Sequence, residues 1–167
     1  MSLDYLSAAP TLLFGPWWGQ PLGEYSDSGY FVETANIRLP SVGGFKVHIT
    51  IDAGHADELA RVVLPTLRLI NVHHKIVVNL EAYETFNARV LGDDLPGKFI
   101  TAYPGDSRAR FDRLFDVLDP ALFRLRQRGA RPGPWPVNRQ VTPRGPEARA
   151  GTSGLASFCE VRSYAVS

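Results

Sequence analysis

The chain has 167 residues, of which 44% are hydrophobic and 21% are charged, and its formal net charge is +1. This composition is typical of one soluble globular domain, and the small net charge argues against a general nucleic-acid or membrane-surface binder. A single cysteine, Cys159, excludes an internal disulfide and zinc sites built from several thiolates. Neither a signal peptide nor a membrane-spanning stretch is recognisable, so we expect a cytoplasmic protein.

The first half of the chain predicts alternating strands and helices. Residues 1–38 mix aromatic residues with turn formers, and we interpret them as an ordered cap on a single domain of residues 1–167. The segment from Phe45 to Asp52 alternates between apolar and polar side chains, which predicts a strand. Its polar face carries Lys46 and His48. A helix is predicted from Ala56 to Ile70, bent or shortened by Pro65, and a second strand from Val72 to Leu80.

The second half continues the pattern. A short helix over Glu81 to Ala88 and a third strand over Lys98 to Tyr103 are predicted next. Asp106 or Ser107 should cap a helix that Pro120 breaks before a second piece reaches Arg128. Residues 129–154 are rich in Gly, Pro and Arg and predict a surface loop, and Ala156 to Val166 predict a closing strand. We therefore expect an α+β fold, mainly an antiparallel sheet with helices packed on one side.

Most of the positively charged side chains in this sequence are arginines, and very few are lysines. The chain has fifteen arginines but only three lysines, and the lysines Lys46, Lys75 and Lys98 all fall in predicted strands. Lysine can lose its proton when other cations crowd it, whereas arginine keeps its charge. If the strands are neighbours, these lysines and His48 would form an anion site suited to phosphate, with one lysine as a base. The alternative is a solvated outer face, on which lysine is common.

Metal binding is the less favoured interpretation of the histidines. Four of them are available, but no HxxxH pair provides a ligand set, and adjacent His73 and His74 should point to opposite sides of a strand. His55 and Glu58 stand at a predicted helix start, where a capping role is favoured. We expect neither a metal nor another cofactor.

Several segments together resemble a known family. They are Leu39–Pro40, the sequence GFKVHIT at 44–50, VHHK at 72–75 and GKFITAYP at 97–104. Their order and spacing resemble the N-terminal lyase domain of class III and IV lanthipeptide synthetases. More distantly, they are similar to the phosphothreonine lyase effectors of bacterial pathogens. The resemblance covers residues 39–104 and extends less closely to Arg162-Ser163-Tyr164.

The resemblance implies β-elimination of phosphate from phosphoserine or phosphothreonine, with no metal. It assigns Lys75 as the base that removes the Cα proton and His48 as the acid that protonates the leaving phosphate. The phosphate-binding residues that it implies are Lys46, Lys98, Tyr103, Arg162, Arg89 and Arg139. Arg139 lies in the segment that aligns least well.

The expected substrate is a phosphorylated precursor peptide that the enzyme converts to dehydroalanine or dehydrobutyrine. No kinase motif is present, so we expect a stand-alone lyase working with a separate Ser/Thr kinase and possibly a cyclase. The alternative is a non-catalytic module that binds phosphopeptide or leader peptide. A phosphatase is less favoured, because Cys159 lacks the glycine-rich anion loop of a cysteine phosphatase.

Overall fold

The computed structural model describes residues 25–27, 31–34, 37–88, 97–134 and 158–164. In chain order the strands are β1 (Tyr25–Asp27), β2 (Phe31–Thr34), β3 (Gly44–Ile49), β4 (His73–Val77), β5 (Ile100–Gly105) and β6 (Cys159–Tyr164). The helices are α1 (Ala53–Leu69), α2 (Leu80–Asn87) and α3 (Arg108–Gln127). No helix in these ranges combines the length and the apolar character that crossing a membrane requires.

The strands form one sheet in the order β1-β2-β4-β5-β3-β6, and every neighbouring pair is antiparallel. This arrangement confirms the predicted α+β fold. Strands β3, β4 and β5 correspond to the three strands predicted from alternation, and β6 lies within the predicted closing strand. Strands β1 and β2 fall inside the segment interpreted as a cap, so that segment contributes to the sheet itself; residues 1–24 lie outside the described part of the chain.

One face of the sheet is apolar and is covered by helices, as predicted. Register pairs Ile49 with Ile100 and Ile100 with Ile76, and all three side chains are fully buried. Helices α1 and α3 pack against each other and supply the opposing buried side chains, among them Leu59 and Phe115. Burying each large aliphatic side chain stabilises the fold by about 1.5–3 kcal/mol, so this face contains most of the core.

Helix α3 is continuous, and the predicted break at Pro120 is wrong. The helix begins after Ser107, whose hydroxyl accepts a hydrogen bond of 3.2 Å from the Arg110 amide, so the predicted Ser107 cap is confirmed. Proline removes one backbone hydrogen bond from a helix. Buried Leu118 and Leu122 on either side of Pro120 hold the helix against the core and offset that loss.

A bulge lies where β3 meets β5. The register shifts between Phe45 and Val47, and a Cβ atom at Gly44 would lie 2.1 Å from the Gly105 carbonyl carbon. Gly105 itself has a φ of +67°, which favours glycine. These two glycines permit the close crossing of the strands. Between these pairs, Lys46 of β3 faces two residues of β5, Tyr103 and Pro104, so the extra residue of the bulge lies on β5.

Candidate active site

A row of polar side chains crosses the face of the sheet opposite the helices. Strand register places Glu33, Lys75, Thr101, His48 and Glu160 side by side on five neighbouring strands. Adjacent strands lie about 4.8 Å apart, so the Cα atoms of Lys75 and His48 are separated by roughly 10 Å, with Thr101 between them. The sheet therefore brings two of the predicted site residues to one face, on either side of Thr101.

Lys75 lies near the centre of this row. Burial lowers the pKa of its amine, and the positive charges of Lys98 and Lys46 lower it further, whereas Glu33 acts in the opposite direction. The Nζ atom stands 4.8 Å from the centroid of the Phe31 ring, so an aromatic surface forms part of its surroundings. A lysine with a lowered pKa has a larger neutral fraction near neutral pH, which is the state that accepts a proton.

His48 is held in place by its neighbour in the row. Only 3% of the residue is exposed, and its Nδ1 atom lies 3.0 Å from the Thr101 hydroxyl oxygen. That contact fixes the orientation of the imidazole ring, because the hydroxyl of Thr101 is itself fully buried. The geometry therefore provides a positioned imidazole on the opposite side of Thr101 from Lys75.

Lys46 and Arg162 form a cationic pair next to His48. They lie opposite each other in the β3–β6 register, two residues along the strands from His48 and Glu160. The Arg162 guanidinium also makes an ion pair with the Glu160 carboxylate. The side chain of Glu160 is 2% exposed and that of Arg162 is 44% exposed. The buried carboxylate thus tethers a guanidinium that remains accessible to an anion.

Tyr103 lies in a ladder of rings beside Lys75. Its ring centroid is 5.5 Å from that of His73 and 5.8 Å from that of Tyr164. Burial, with smaller contributions from Glu33 and Tyr164, raises the pKa of Tyr103 to about 12. The phenol therefore keeps its proton across the physiological range and can donate a hydrogen bond to an anion. A cleft of about 330 Å³ opens beside His73 and Tyr103, with Arg38 and Arg110 in its walls.

Lys98 precedes β5 and faces the same region. The backbone of the next residue is fixed, because the Phe99 amide donates a 3.0 Å hydrogen bond to the Ile49 carbonyl. The effect of Lys98 on the pKa of Lys75 shows that the two amines are close enough to interact. The third lysine is thus also part of this cationic surface.

The remaining histidines and the cysteine have structural surroundings. His73 and His74 point to opposite faces, as predicted, and burial lowers the pKa of His74 to about 4. His55 lies 2.7 Å from Asp52, the residue before α1. The described residues contain no group of three His, Cys, Asp or Glu that could hold a metal. Cys159 is buried in the apolar face, where burial raises the pKa of its thiol, so it is poorly suited to act as a nucleophile.

The sequence did not identify every polar residue at this site. Thr101, Glu160, Glu33 and Tyr164 were not predicted, although alternation in GKFITAYP already placed Thr101 on the face of Tyr103. Glu160 could have been found from its spacing of two residues to Arg162. The predicted arginines Arg89 and Arg139 lie outside the described residues, so their positions remain predictions.

Comparison with known proteins identifies the family of this chain. The family described as "RamC, N-terminal domain" matches residues 25–129, which is more than half of the chain. The chain belongs to this family. No curated protein matches the chain significantly.

Solved structures of two bacterial proteins have a similar fold. One is the type III effector and phosphothreonine lyase OspF from Shigella flexneri, with 13% identity, a TM-score of 0.51, and coverage of 88% of this chain and 72% of OspF. The other is the phosphothreonine lyase SpvC, an effector protein from Salmonella, with 16% identity, a TM-score of 0.50, and coverage of 91% and 82%. At these identities the likeness concerns the fold alone.

Proposed function

We propose that this protein is a phosphoserine or phosphothreonine lyase that acts on a phosphorylated peptide. The observation that carries the proposal is the placement of Lys75 and His48 on one polar face, on either side of Thr101. β-Elimination needs a base at Cα and charge compensation at the departing phosphate, and this face offers both. The likeness of the fold to two phosphothreonine lyases supports the same reaction class.

In the proposed reaction, the neutral Lys75 amine takes the Cα proton of the phosphorylated residue. The electron pair of the Cα–H bond forms the Cα=Cβ double bond, and the Cβ–O bond breaks with its electrons leaving on phosphate. His48 donates a proton to the departing oxygen. Lys46, Lys98, Tyr103 and Arg162 bind the phosphate oxygens, with Arg162 and Lys46 approaching from the β6 side. The products are inorganic phosphate and a dehydroalanine or dehydrobutyrine residue, and no water is consumed.

The cleft beside His73 and Tyr103 supports a peptide substrate over a free amino acid. It is lined by His73 and Tyr103, which lie on the polar face, and at about 330 Å³ it is large enough for residues that flank the phosphorylated one. The family match fits the resemblance to lanthipeptide synthetase lyase domains. We therefore propose a role in the maturation of a modified peptide, with a Ser/Thr kinase that prepares the substrate and possibly a cyclase that uses the product.

Mass spectrometry of synthetic phosphopeptides tests this function without a kinase. Phosphoserine and phosphothreonine peptides are incubated with the purified protein and a chelator. The expected product is one water lighter than the dephosphorylated peptide, and it should be absent with Lys75→Ala. A product with a restored hydroxyl would make the protein a phosphatase. An unchanged peptide that nevertheless binds, by fluorescence anisotropy, would favour the non-catalytic binding module instead.

A further inference from the structure

Glu33 stands directly opposite Lys75 across the β2–β4 pair. Side chains at directly paired positions share a face, with Cβ atoms about 4.5–5.5 Å apart. The two residues differ in accessibility: the side chain of Glu33 is 38% exposed, whereas Lys75 lies deeper in the row. The Glu33 carboxylate is thus the more accessible of the two groups.

His73 lies beside the Glu33 carboxylate on this face. Its Nε2 atom lies 3.4 Å from the carboxylate, and its Nδ1 atom lies 2.7 Å from the Ile37 carbonyl oxygen. A carbonyl only accepts hydrogen bonds, so Nδ1 is the donor in that contact. The Thr34 hydroxyl, 3.0 Å from the same Nδ1, further restricts the ring. The contacts of Nδ1 therefore fix the orientation of the His73 ring. Nε2 faces Glu33 and can donate a hydrogen bond to its carboxylate when the ring is protonated on both nitrogens.

The charged groups around Lys75 shift the pKa of its amine in opposite directions. Lys98, which precedes β5, and Lys46 on β3 oppose its protonation, and Glu33 on β2 favours it. The same face also carries the uncharged phenol of Tyr103 on β5, the imidazoles of His73 on β4 and His48 on β3, and the Glu160–Arg162 ion pair on β6. Glu33 is therefore the acidic partner that the register assigns directly to Lys75.

We propose that Glu33 is the positioning residue of Lys75. During turnover its carboxylate, which the register places opposite Lys75, accepts a hydrogen bond from the amine and leaves the nitrogen lone pair directed at the substrate Cα–H. When the neutral amine takes the Cα proton, Glu33 stabilises the ammonium that forms and passes the proton to solvent afterwards. The inference rests on the proposed lyase function, and it adds a residue that neither the sequence patterns nor the comparisons assign.

Competitive lysine labelling tests the electrostatic part without requiring any turnover. The chain has three lysines, and cleavage after Asp and Glu places each on its own peptide. Acetic anhydride labelling across a pH series, quantified by mass spectrometry, then gives the pKa of each amine. Glu33→Gln should lower the pKa of Lys75 by about one pH unit and leave Lys46 and Lys98 nearly unchanged. The matched control is Glu58→Gln, which removes a carboxylate from α1 on the helix-covered side.

The pH dependence of elimination tests the positioning part. With Glu33→Gln the acidic limb of the profile should move to lower pH, because an amine with a lower pKa stays neutral down to a lower pH. The plateau kcat should fall about ten-fold, with KM little changed, because the ammonium loses its stabilising partner. Glu33→Asp retains the negative charge but places it one methylene farther from Lys75. Its kcat and its acidic limb should lie between those of the wild type and Glu33→Gln. This variant replaces Glu33→Gln in the test if Glu33→Gln does not fold.

The two experiments separate failure of this inference from failure of the proposed function. A wild-type protein without lyase activity would overturn the function and with it the role of Glu33 in turnover, while the labelling would still report on the Glu33–Lys75 pair. An unchanged pKa of Lys75 in both Glu33 variants, or an elimination profile whose acidic limb does not move, would overturn the inference even in an active lyase.

Discussion

Burial lowers the pKa of one side chain on each face of the sheet, but the two side chains have different surroundings. His74 and Lys75 are adjacent in β4 and point to opposite faces, and burial lowers the pKa of both. On the helix-covered face, His74 is enclosed by the core and stays neutral as a packing residue. On the polar face, Lys75 has two lysine neighbours, a carboxylate partner and a cleft nearby. Desolvation by itself thus does not mark a reactive residue; charged neighbours and access for substrate distinguish the two positions.

Replacing Lys75 by Ala should have the largest effect. Elimination from a phosphothreonine peptide should fall by about 10³–10⁴-fold, because the Lys75 amine is the base of the proposed reaction. The free energy of unfolding should change by less than about 1 kcal/mol, since Lys75 is not part of the core. Product formation by mass spectrometry and chemical denaturation measure the two quantities.

Ile76→Val is the matched control on the other face of the same strand. It should cost about 0.5–1.5 kcal/mol of stability and leave elimination nearly unchanged. Activity of Lys75→Ala above a tenth of the wild-type value would remove Lys75 from the role of base.

His74 should control stability, not catalysis, in the acidic range. Its folded-state pKa of about 4 lies below the ordinary 6.5, so the unfolded chain takes up this proton first as the pH falls. The contribution of neutral His74 to the free energy of unfolding is fully present above pH 6.5. It is lost progressively as the pH falls from 6.5 to 4, and the total loss is about 3 kcal/mol. In His74→Leu the free energy of unfolding should fall much less between pH 6.5 and pH 4, as measured by chemical denaturation at a series of pH values. The same pH dependence in wild type and His74→Leu would contradict this assignment.

His48→Gln should lower elimination by about 100-fold, less than the lysine variant. The effect should be smaller because, in the proposed reaction, Lys46 and Arg162 also neutralise charge on the departing phosphate. Thr101→Val, which removes the 3.0 Å contact with His48 but not the imidazole, should give a weaker version of the same defect. Measuring kcat for both variants checks that His48→Gln is the more strongly affected of the two. A greater loss of kcat in Thr101→Val than in His48→Gln would be inconsistent with His48 acting as the acid.

The smallest expected effect concerns the tether of Arg162. Glu160→Gln removes the ion pair that holds this guanidinium, so KM should rise about ten-fold with kcat nearly preserved. Steady-state kinetics with a phosphoserine peptide measure both constants. If kcat falls while KM stays constant, Glu160 acts on the chemical step through its neighbour His48, and the tether is not its main role.

Local patterns in the sequence predicted the elements that alternate clearly. Strand β3 and helix α3 follow from the spacing of their apolar residues, and the same alternation placed Lys46 and His48 on one polar face. The break at Pro120 was predicted wrongly because local propensity omits the packing of Leu118 and Leu122. Propensity rules describe one element at a time, and tertiary burial can outweigh a single lost hydrogen bond.

The order of the strands could not be predicted in the same way. Nothing in the local sequence places β2 beside β4, and four residues are too few for a periodicity that distinguishes a strand from a cap. Glu33 was therefore missed as the neighbour of Lys75. Likewise, Glu160 was missed because its opposition to His48 depends on β6 returning to the edge beside β3.

The most direct test of the account uses a peptide whose phosphoserine carries deuterium at Cα. The central claim is that Lys75 removes this atom while the Cβ–O bond breaks, so the product should be a dehydroalanine peptide without deuterium, formed more slowly than from the protiated substrate and not formed by Lys75→Ala. A serine product that retains the deuterium would show that the polar face hydrolyses phosphate, and would contradict elimination and the role of Lys75 together.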